Sequence, residues 1–509
     1  MLNPSSEKAN EDPPQVFGRV AIRGSFLNLF QWVLNKALTA GAILLIAYFL
    51  TPAEYGVGIQ ALAIFSLTFI LQPLTVGDVL IAHPKRFALL APSASALAMI
   101  IACCTAGITL LSIPIAVYFY SDYPAGWLIG LLAIQAVRPL LEAKLMLPLS
   151  AMRLRLEYAR MAMIDGFVQM GATLLSVSIA ALGGRATSLV VPQIVGVAAR
   201  SALYSRKANI PTSARFHKRL AAFLFRSFMK AASAQYIHNV IVMLEVLVLG
   251  FVSGKYEVGL FGLAFSIACQ ANTVIAFQLG VVLQPIFGRL QDDPERQVNG
   301  FLKAQRVLSA VCVPICFTQA ILAEPLFRLV LEPKWQPAIP IFQVISLMQA
   351  FYFATGPSMS CLRAQRRFGT FFAWQGIQLV VSLPIYWIGA QWSGALGVAI
   401  ASGAVWTISS PLAVWLCTID SPRRHLSEAL AIFLRPWAVC LPIYAGAYFL
   451  VRWLGDSNVV GDIASLVFVG PVVTLLAIWI MRFTHTDIRQ TIDGLALTAL
   501  SRIRKKRNG

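Results

Sequence analysis

The chain has 509 residues, 58% of them hydrophobic and only 12% charged, with a mean hydropathy of +0.72. A soluble domain carries about 25% charged residues, so water is excluded as the solvent for most of this chain. The formal charge of +19 would suit nucleic acid, but its placement along the chain points to a membrane surface instead.

The N-terminus is polar, and the first apolar run starts near Leu27. That run is too long for the core of a cleaved signal, so an uncleaved first span is expected. Crossing lipid as a helix takes roughly 20 apolar residues, because every backbone polar group must be satisfied within the segment. Fourteen spans are predicted, at about 27–49, 57–82, 92–119, 125–147, 161–182, 186–204, 229–252, 259–286, 305–324, 338–361, 370–391, 394–417, 431–453 and 462–482. The fold class expected is therefore an all-α integral membrane protein.

An even number of spans puts both termini on one side. With that side cytoplasmic, the outer loops hold five of the 41 Lys and Arg: Arg185, Lys255, Arg328, Lys334 and Arg452. Lys36, Arg138 and Lys144 lie within spans, and the remaining 33 fall on the inner side. This is a positive-inside distribution. It reads the basic tail "RIRKKRNG" as an anchor at an anionic leaflet, with no nucleic-acid partner.

The longest polar break, 205–228, separates six spans from eight. The domains expected are a polar N-terminus (1–22), a six-helix bundle (23–204), a basic linker (205–228), a second six-helix bundle (229–417), two additional helices (418–484) and a basic tail (485–509). The two bundles read as copies. A shift of 203 positions lays Glu54 and Gly56 of "LTPAEYG" on Glu257 and Gly259 of "SGKYEVG", and Arg23 on Arg226. Each stretch is expected to be a tight turn closing a helical hairpin. Copies with an even number of spans enter the membrane from the same side, as parallel repeats with a path between them.

Polar residues inside spans are costly and usually face protein or a wet cavity. In the first span Asn28, Gln31, Asn35 and Thr39 share one helix face, with Lys36 at its edge. In the seventh, Gln235, His238, Asn239 and Glu245 do the same. These stripes are expected to line a cavity, together with Arg138. Lys36, Arg138 and the inner-mouth residues Arg23 and Arg226 are the cations placed to attract an anionic headgroup. Glu142, Asp165 and Glu245 are the acids placed for ion coupling. Arg138 and Glu142, at i,i+4, can equally pair with each other.

No P-loop, G-x-S-x-G or H-E-x-x-H motif occurs, and no loop is long enough for a soluble catalytic module, so no enzyme activity is expected. The eight cysteines lie in or beside apolar runs, which is no disulfide framework. The C-x3-C pair Cys312 and Cys316 lacks the further ligands of a structural zinc site. No metal or cofactor is expected.

Several stretches resemble the polysaccharide (O-antigen and exopolysaccharide) flippases of Wzx type, within the MATE-like exporter superfamily. "LTPAEYGVGIQALAIF" is similar to the family's motif after the first span, and "PLSAMRLRLEYARMAMIDG" to its loop after the fourth. "EVGLFGLAFSIACQ", "VLQPIFGRLQDDPERQVNGFLKAQRVLS" and "LAEPLFRLVLEPKWQPAIPIFQVIS" resemble its eighth span, the following inner loop and the outer loop before the tenth. The resemblance implies two six-helix bundles around a cationic cavity. It also implies transport of undecaprenyl-diphosphate-linked oligosaccharide repeat units across the bacterial inner membrane, for cell-surface polysaccharide. The partners implied are that lipid-linked cargo, membrane lipids, and polysaccharide polymerase and export machinery. The chain departs from the family where some relatives carry several arginines in the first span. A cation-coupled drug or metabolite antiporter of the same superfamily is the alternative. A membrane polymerase or ligase is disfavoured by the short outer loops.

Overall fold

The computed structural model describes residues 38–69, 71–81, 83, 86–155, 157–208, 217–272, 283, 287, 290, 293–419, 426–455, 459–483 and 489. Arg23, Asn28, Gln31, Asn35 and Lys36, singled out above, lie outside the described residues, as do the polar N-terminus and most of the basic tail.

Among the described residues all regular structure is helical. The first span ends as α1 (Leu38–Phe49). The second is two pieces, α2 (Pro52–Thr68) and α3 (Leu74–Ile81). The third is α4 (Phe87–Phe119), and the fourth is again split, into α5 (Ala125–Gln135) and α6 (Arg138–Leu154). Then come α7 (Tyr158–Ala181) and α8 (Thr187–Ala208). Helix α8 runs into the expected linker, and α9 (Lys218–Val252) begins within it; α10 (Gly254–Asn272), α11 (Pro294–Ile321) and the short α12 (Ala323–Val330) follow. The tenth span is α13 (Ala338–Tyr352) with α14 (Thr355–Ala364).

Next is α15 (Phe368–Leu416), a helical run broken at Ser393 (φ −152°) and Gly394 (φ +55°). Gly394 supplies the left-handed conformation the reversal needs. The two arms of α15 are the expected eleventh and twelfth spans, folded back so closely that a Cβ on Gly389 would lie 2.6 Å from the Gly397 carbonyl oxygen. The chain continues as α16 (Leu426–Gly455), α17 (Val459–Ala464) and α18 (Gly470–Met481). Seven of the described helices are long and apolar enough to cross a membrane. The all-α membrane fold is as the composition requires.

The helices pack in two groups. In the first, α8 packs on α6 and α7, and α4 on α5 and α6. In the second, α15 packs on α9 and α13, and α10 on α13. The most extensive pairing of described helices, α2 with α10, joins the groups. The two quoted motifs sit there, and each opens on the short break between consecutive helices, residues 50–51 between α1 and α2 and Ser253 between α9 and α10, before entering the second helix. Thr51 caps α2: its side chain accepts from the Glu54 N–H at 3.3 Å, and Glu54 Oε2 accepts from the Thr51 N–H at 3.0 Å. With Pro52 at the first helical position this is a complete capping box. The hairpin turns are there as expected, but Gly56 and Gly259 lie beyond them, inside α2 and α10.

The glycines are required by the crossing. A Cβ on Gly56 would strike the Lys255 carbonyl and lie 2.9 Å from the Gly259 nitrogen. A Cβ on Gly259 would strike the Pro52 carbonyl and lie 3.1 Å from the Pro52 Cα. Position 52 maps onto 255 under the shift of 203, so each glycine meets the counterpart of the residue the other glycine meets. The neighbouring acids follow the same pattern. Glu54 pairs with Arg185 at 3.2 Å, in the loop between α7 and α8. Glu257 accepts from the Ala395 N–H at 2.9 Å, in the loop between the arms of α15.

Further bonds close this seam. Trp335 Nε1 donates to the Ala47 carbonyl at 2.8 Å, at the end of α1, and Tyr120 OH donates to the Leu247 carbonyl at 3.1 Å, near the end of α9. In each case an aromatic from one group donates to the last turns of the other group's first helix. Lys334 Nζ donates to the Tyr48 carbonyl at 2.9 Å. Lys255 donates to Asp122 through its backbone N–H at 3.1 Å and through Nζ, to the Asp122 carbonyl, at 2.6 Å. Trp335 is fully buried and meets Tyr55 edge to face at 5.7 Å. Trp335→Ala is expected to cost about 3–5 kcal/mol of stability. Trp335→Phe, which leaves only the Ala47 carbonyl unpaired, should cost about 1 kcal/mol. Thermal unfolding in detergent would check both; equal losses would show that the hydrogen bond, rather than the ring, holds the seam.

Candidate functional site: a polar pocket among α1, α6, α7 and α8

A cavity of about 320 Å³ opens among α1, α6, α7 and α8, inside the first helix group. Its polar walls are Thr39, Arg138, Gln169, Thr173, Gln193 and Arg200. Ile46, Val168, Leu189 and Val197 supply an apolar lining. Thr39 is the described member of the first-span stripe, and it lies on the pocket wall as the helical spacing predicts.

Arg138 is held from three sides. Its Nε donates to Glu142 Oε1 at 3.0 Å, and its terminal nitrogen to Gln193 Oε1 at 3.4 Å. Its guanidinium also lies 5.6 Å from the ring centres of Phe65 and Phe69 on α2, a cation–π geometry. The Glu142 side chain is only 5% exposed. Removing Arg138 would leave that carboxylate uncompensated, at about 3–5 kcal/mol. Arg200 pairs with Asp165 at 3.5 Å. Each cation on this wall thus has its own acid, one helical turn away in the first case and across α7 and α8 in the second.

The structure brings Arg138, Glu142 and Asp165 around this pocket and places the seventh-span residues elsewhere. His238 is 3% exposed. Its ring stacks on Tyr352 with centroids 6.4 Å apart, and its Nε2 lies 3.3 Å from the Tyr352 hydroxyl. Asn239 is half-buried beside it, and Gln235 is placed on α9 by its backbone alone. Arg226 is exposed near the start of α9, where Leu224 and Phe228 bury against α3, α4 and α6.

Glu245 occupies a separate interior site. It is 1% exposed. Its Oε1 accepts from Ser402 Oγ at 2.5 Å and from Tyr386 OH at 3.4 Å, both on α15. Its Oε2 is buried with no partner at hydrogen-bond geometry among the described residues, and the Trp406 side chain also interacts with this carboxylate.

Thr173 and Gln193 are pocket residues that sequence reasoning passed over. Gln193 carries a visible signal: it is a lone amide in the apolar run "VVPQIVG". Thr173 carries none, because a threonine inside a span is common wherever helices pack.

An uncharacterized membrane protein in the cps region of Klebsiella pneumoniae is 24% identical over 298 residues, covering 57% of this chain and 61% of that relative. The lipopolysaccharide biosynthesis protein WzxC of Escherichia coli (strain K12) is 24% identical over 207 residues, covering 41% of this chain and 42% of that protein. The match thus spans less than two thirds of either relative. In fold, the chain is similar to a lipid II flippase MurJ in an inward closed conformation, with a TM-score of 0.70 at 13% identity over 92% of this chain and 100% of the other. The polysaccharide biosynthesis protein family model matches residues 45–340, which include the α2–α10 seam and the α6, α7 and α8 walls of the polar pocket, and this chain is a member of that family.

Proposed function

We propose that this protein is a flippase. It moves undecaprenyl-diphosphate-linked oligosaccharide repeat units across the bacterial inner membrane, for exopolysaccharide or lipopolysaccharide synthesis. It is a transporter and not an enzyme. The observation that carries the reading is the reciprocal seam. Two helix groups meet at one end through matching glycines, acids and aromatic donors, as two repeats rocking about a shared axis would. The first group corresponds to residues 23–204 and the second to 229–417, with 418–484 as added helices.

The charge distribution orients the molecule. The seam end is poor in Lys and Arg and faces the periplasm, so both termini are cytoplasmic. With the seam closed, cargo enters from the cytoplasmic side. Arg23 and Arg226 gather the headgroup at the inner mouths, and Lys36 draws the diphosphate inward. The prenyl tail stays in lipid while the halves rock. Asn28, Gln31, Asn35, Gln235, His238 and Asn239 belong to the first and seventh apolar runs of the sequence, which frame the path in this reading. Polysaccharide polymerase and export machinery take the delivered units.

The test is to delete the gene and follow the lipid-linked repeat unit. Accumulation in the cytoplasmic leaflet, with loss of the surface polysaccharide, is expected. Normal arrival at the periplasmic face, in a strain without a second flippase, would overturn the reading.

A second reading, a cation-coupled antiporter, is favoured by one observation: the deeply buried Glu245 with its unpartnered oxygen. Uptake of organic cations into vesicles, dependent on a proton or sodium gradient, would distinguish it. Glu142 and Asp165 are the other acids placed for coupling, but each is committed to an arginine.

A further inference from the structure

We infer that the pocket among α1, α6, α7 and α8 is a carbohydrate subsite, which holds a sugar of the repeat unit and not the diphosphate. The inference rests on the flippase reading above and deepens it.

Charge balance carries the argument. A diphosphate wants surplus cations without nearby acid. Here Arg138 is bonded to Glu142 and Arg200 is paired with Asp165. A diphosphate entering the pocket would meet two carboxylates along with the two guanidinium groups. Drawing Arg138 away would also strand the buried Glu142 carboxylate.

With those charges matched, the wall still offers many hydrogen-bonding groups. Gln169 presents a carbonyl and an amide and Thr173 a hydroxyl, while Gln193, which donates one amide hydrogen to the Leu189 carbonyl at 3.1 Å and accepts from Arg138, keeps a second amide hydrogen and a second carbonyl lone pair. Arg138, itself a lining residue, uses its Nε–H and one terminal N–H in the bonds described, out of the five N–H donors of a guanidinium. Mixed donors and acceptors over an apolar lining complement sugar hydroxyls and C–H faces. The volume, about 320 Å³, is at the low end for ligand pockets and suits one or two sugar rings rather than a chain.

The division of labour is testable with the full-length protein in lipid nanodiscs. Two probes are titrated and read by native mass spectrometry: bare undecaprenyl diphosphate, and the lipid-linked repeat unit extracted from the producing strain's inner membrane. Gln193→Ala is expected to weaken binding of the glycan-bearing lipid about tenfold more than binding of the bare carrier. Thr173→Val, which keeps the side-chain shape, should shift the same ratio and serves if the first variant does not insert. Equal weakening of both probes, or an unchanged ratio in both variants, overturns the subsite. Wild-type protein that binds neither lipid overturns the flippase reading itself, which is a separate outcome.

Discussion

Leucine at Gly56 or Gly259 is expected to force the seam open. The Cβ of either substitution meets backbone, the Lys255 or the Pro52 carbonyl, so no side-chain rotamer can relieve the collision. The α2–α10 crossing must widen. Overpacking costs about 1–3 kcal/mol where side chains can adjust, and a backbone collision should sit at or above the top of that range. In the rocking cycle proposed above, the crossing exists only while the seam is closed, so the cost falls on that state alone. About 3 kcal/mol shifts a two-state equilibrium roughly a hundredfold. Spin labels at the exposed Ser121 and Gln391, one in each group, should report a longer separation in either variant. Transport should fall at least tenfold, because a protein held open at one end completes no cycle. The double variant should cost less than the sum of the singles: once one leucine has pushed the helices apart, the second finds room. Unchanged label distances and unchanged transport would show that the glycines are not what closes the seam.

The broad architecture was legible because lipid leaves the backbone few options. Apolar runs long enough to cross it must be helices. The register of the repeat was legible from Glu54 and Gly56 against Glu257 and Gly259. Their role was not, although the signal was present. "TPAE" places a capping threonine, a first-position proline and a glutamate at the third position, which is the start of a helix. What could not be read was which glycine meets which backbone, since that contact spans about two hundred positions.

The site divides the same way. The Arg138–Glu142 pair was foreseeable from its i,i+4 spacing. The pairing of Arg153 with Asp78 at 3.0 Å and of Arg200 with Asp165 joins different helices and depends on packing that no local pattern encodes. Helical periodicity says that residues share a face; it does not say what that face meets. Thr39 meets a pocket, whereas His238 meets Tyr352 in the interior.

Glu245→Gln is expected to abolish coupling while preserving the fold. The variant keeps an oxygen in place of Oε1, so the bonds from Ser402 and Tyr386 survive. It replaces the orphaned Oε2 with an amide nitrogen that can hold neither an exchangeable acidic proton nor a metal cation. A buried polar oxygen without a partner costs about 1–3 kcal/mol, and a charged one costs more. In a coupled cycle of the kind proposed above, a proton or a small cation would complete this oxygen. In proteoliposomes with an imposed proton or sodium gradient, stimulation of lipid-linked glycan transport should therefore fall about 10- to 100-fold, the usual span of a coupling energy. The gradient that fails to stimulate the variant identifies the ion. Glu245→Ala should lose the same stimulation and in addition lower thermal stability, because the Ser402 and Tyr386 hydroxyls are left unpaired in the interior. Ser402→Ala separates positioning from carriage: it removes one donor, keeps the carboxylate, and should reduce stimulation without eliminating it. If Glu245→Gln responds to both gradients as the wild type does, the carboxylate is structural, and the buried acid no longer favours the antiporter reading over the flippase.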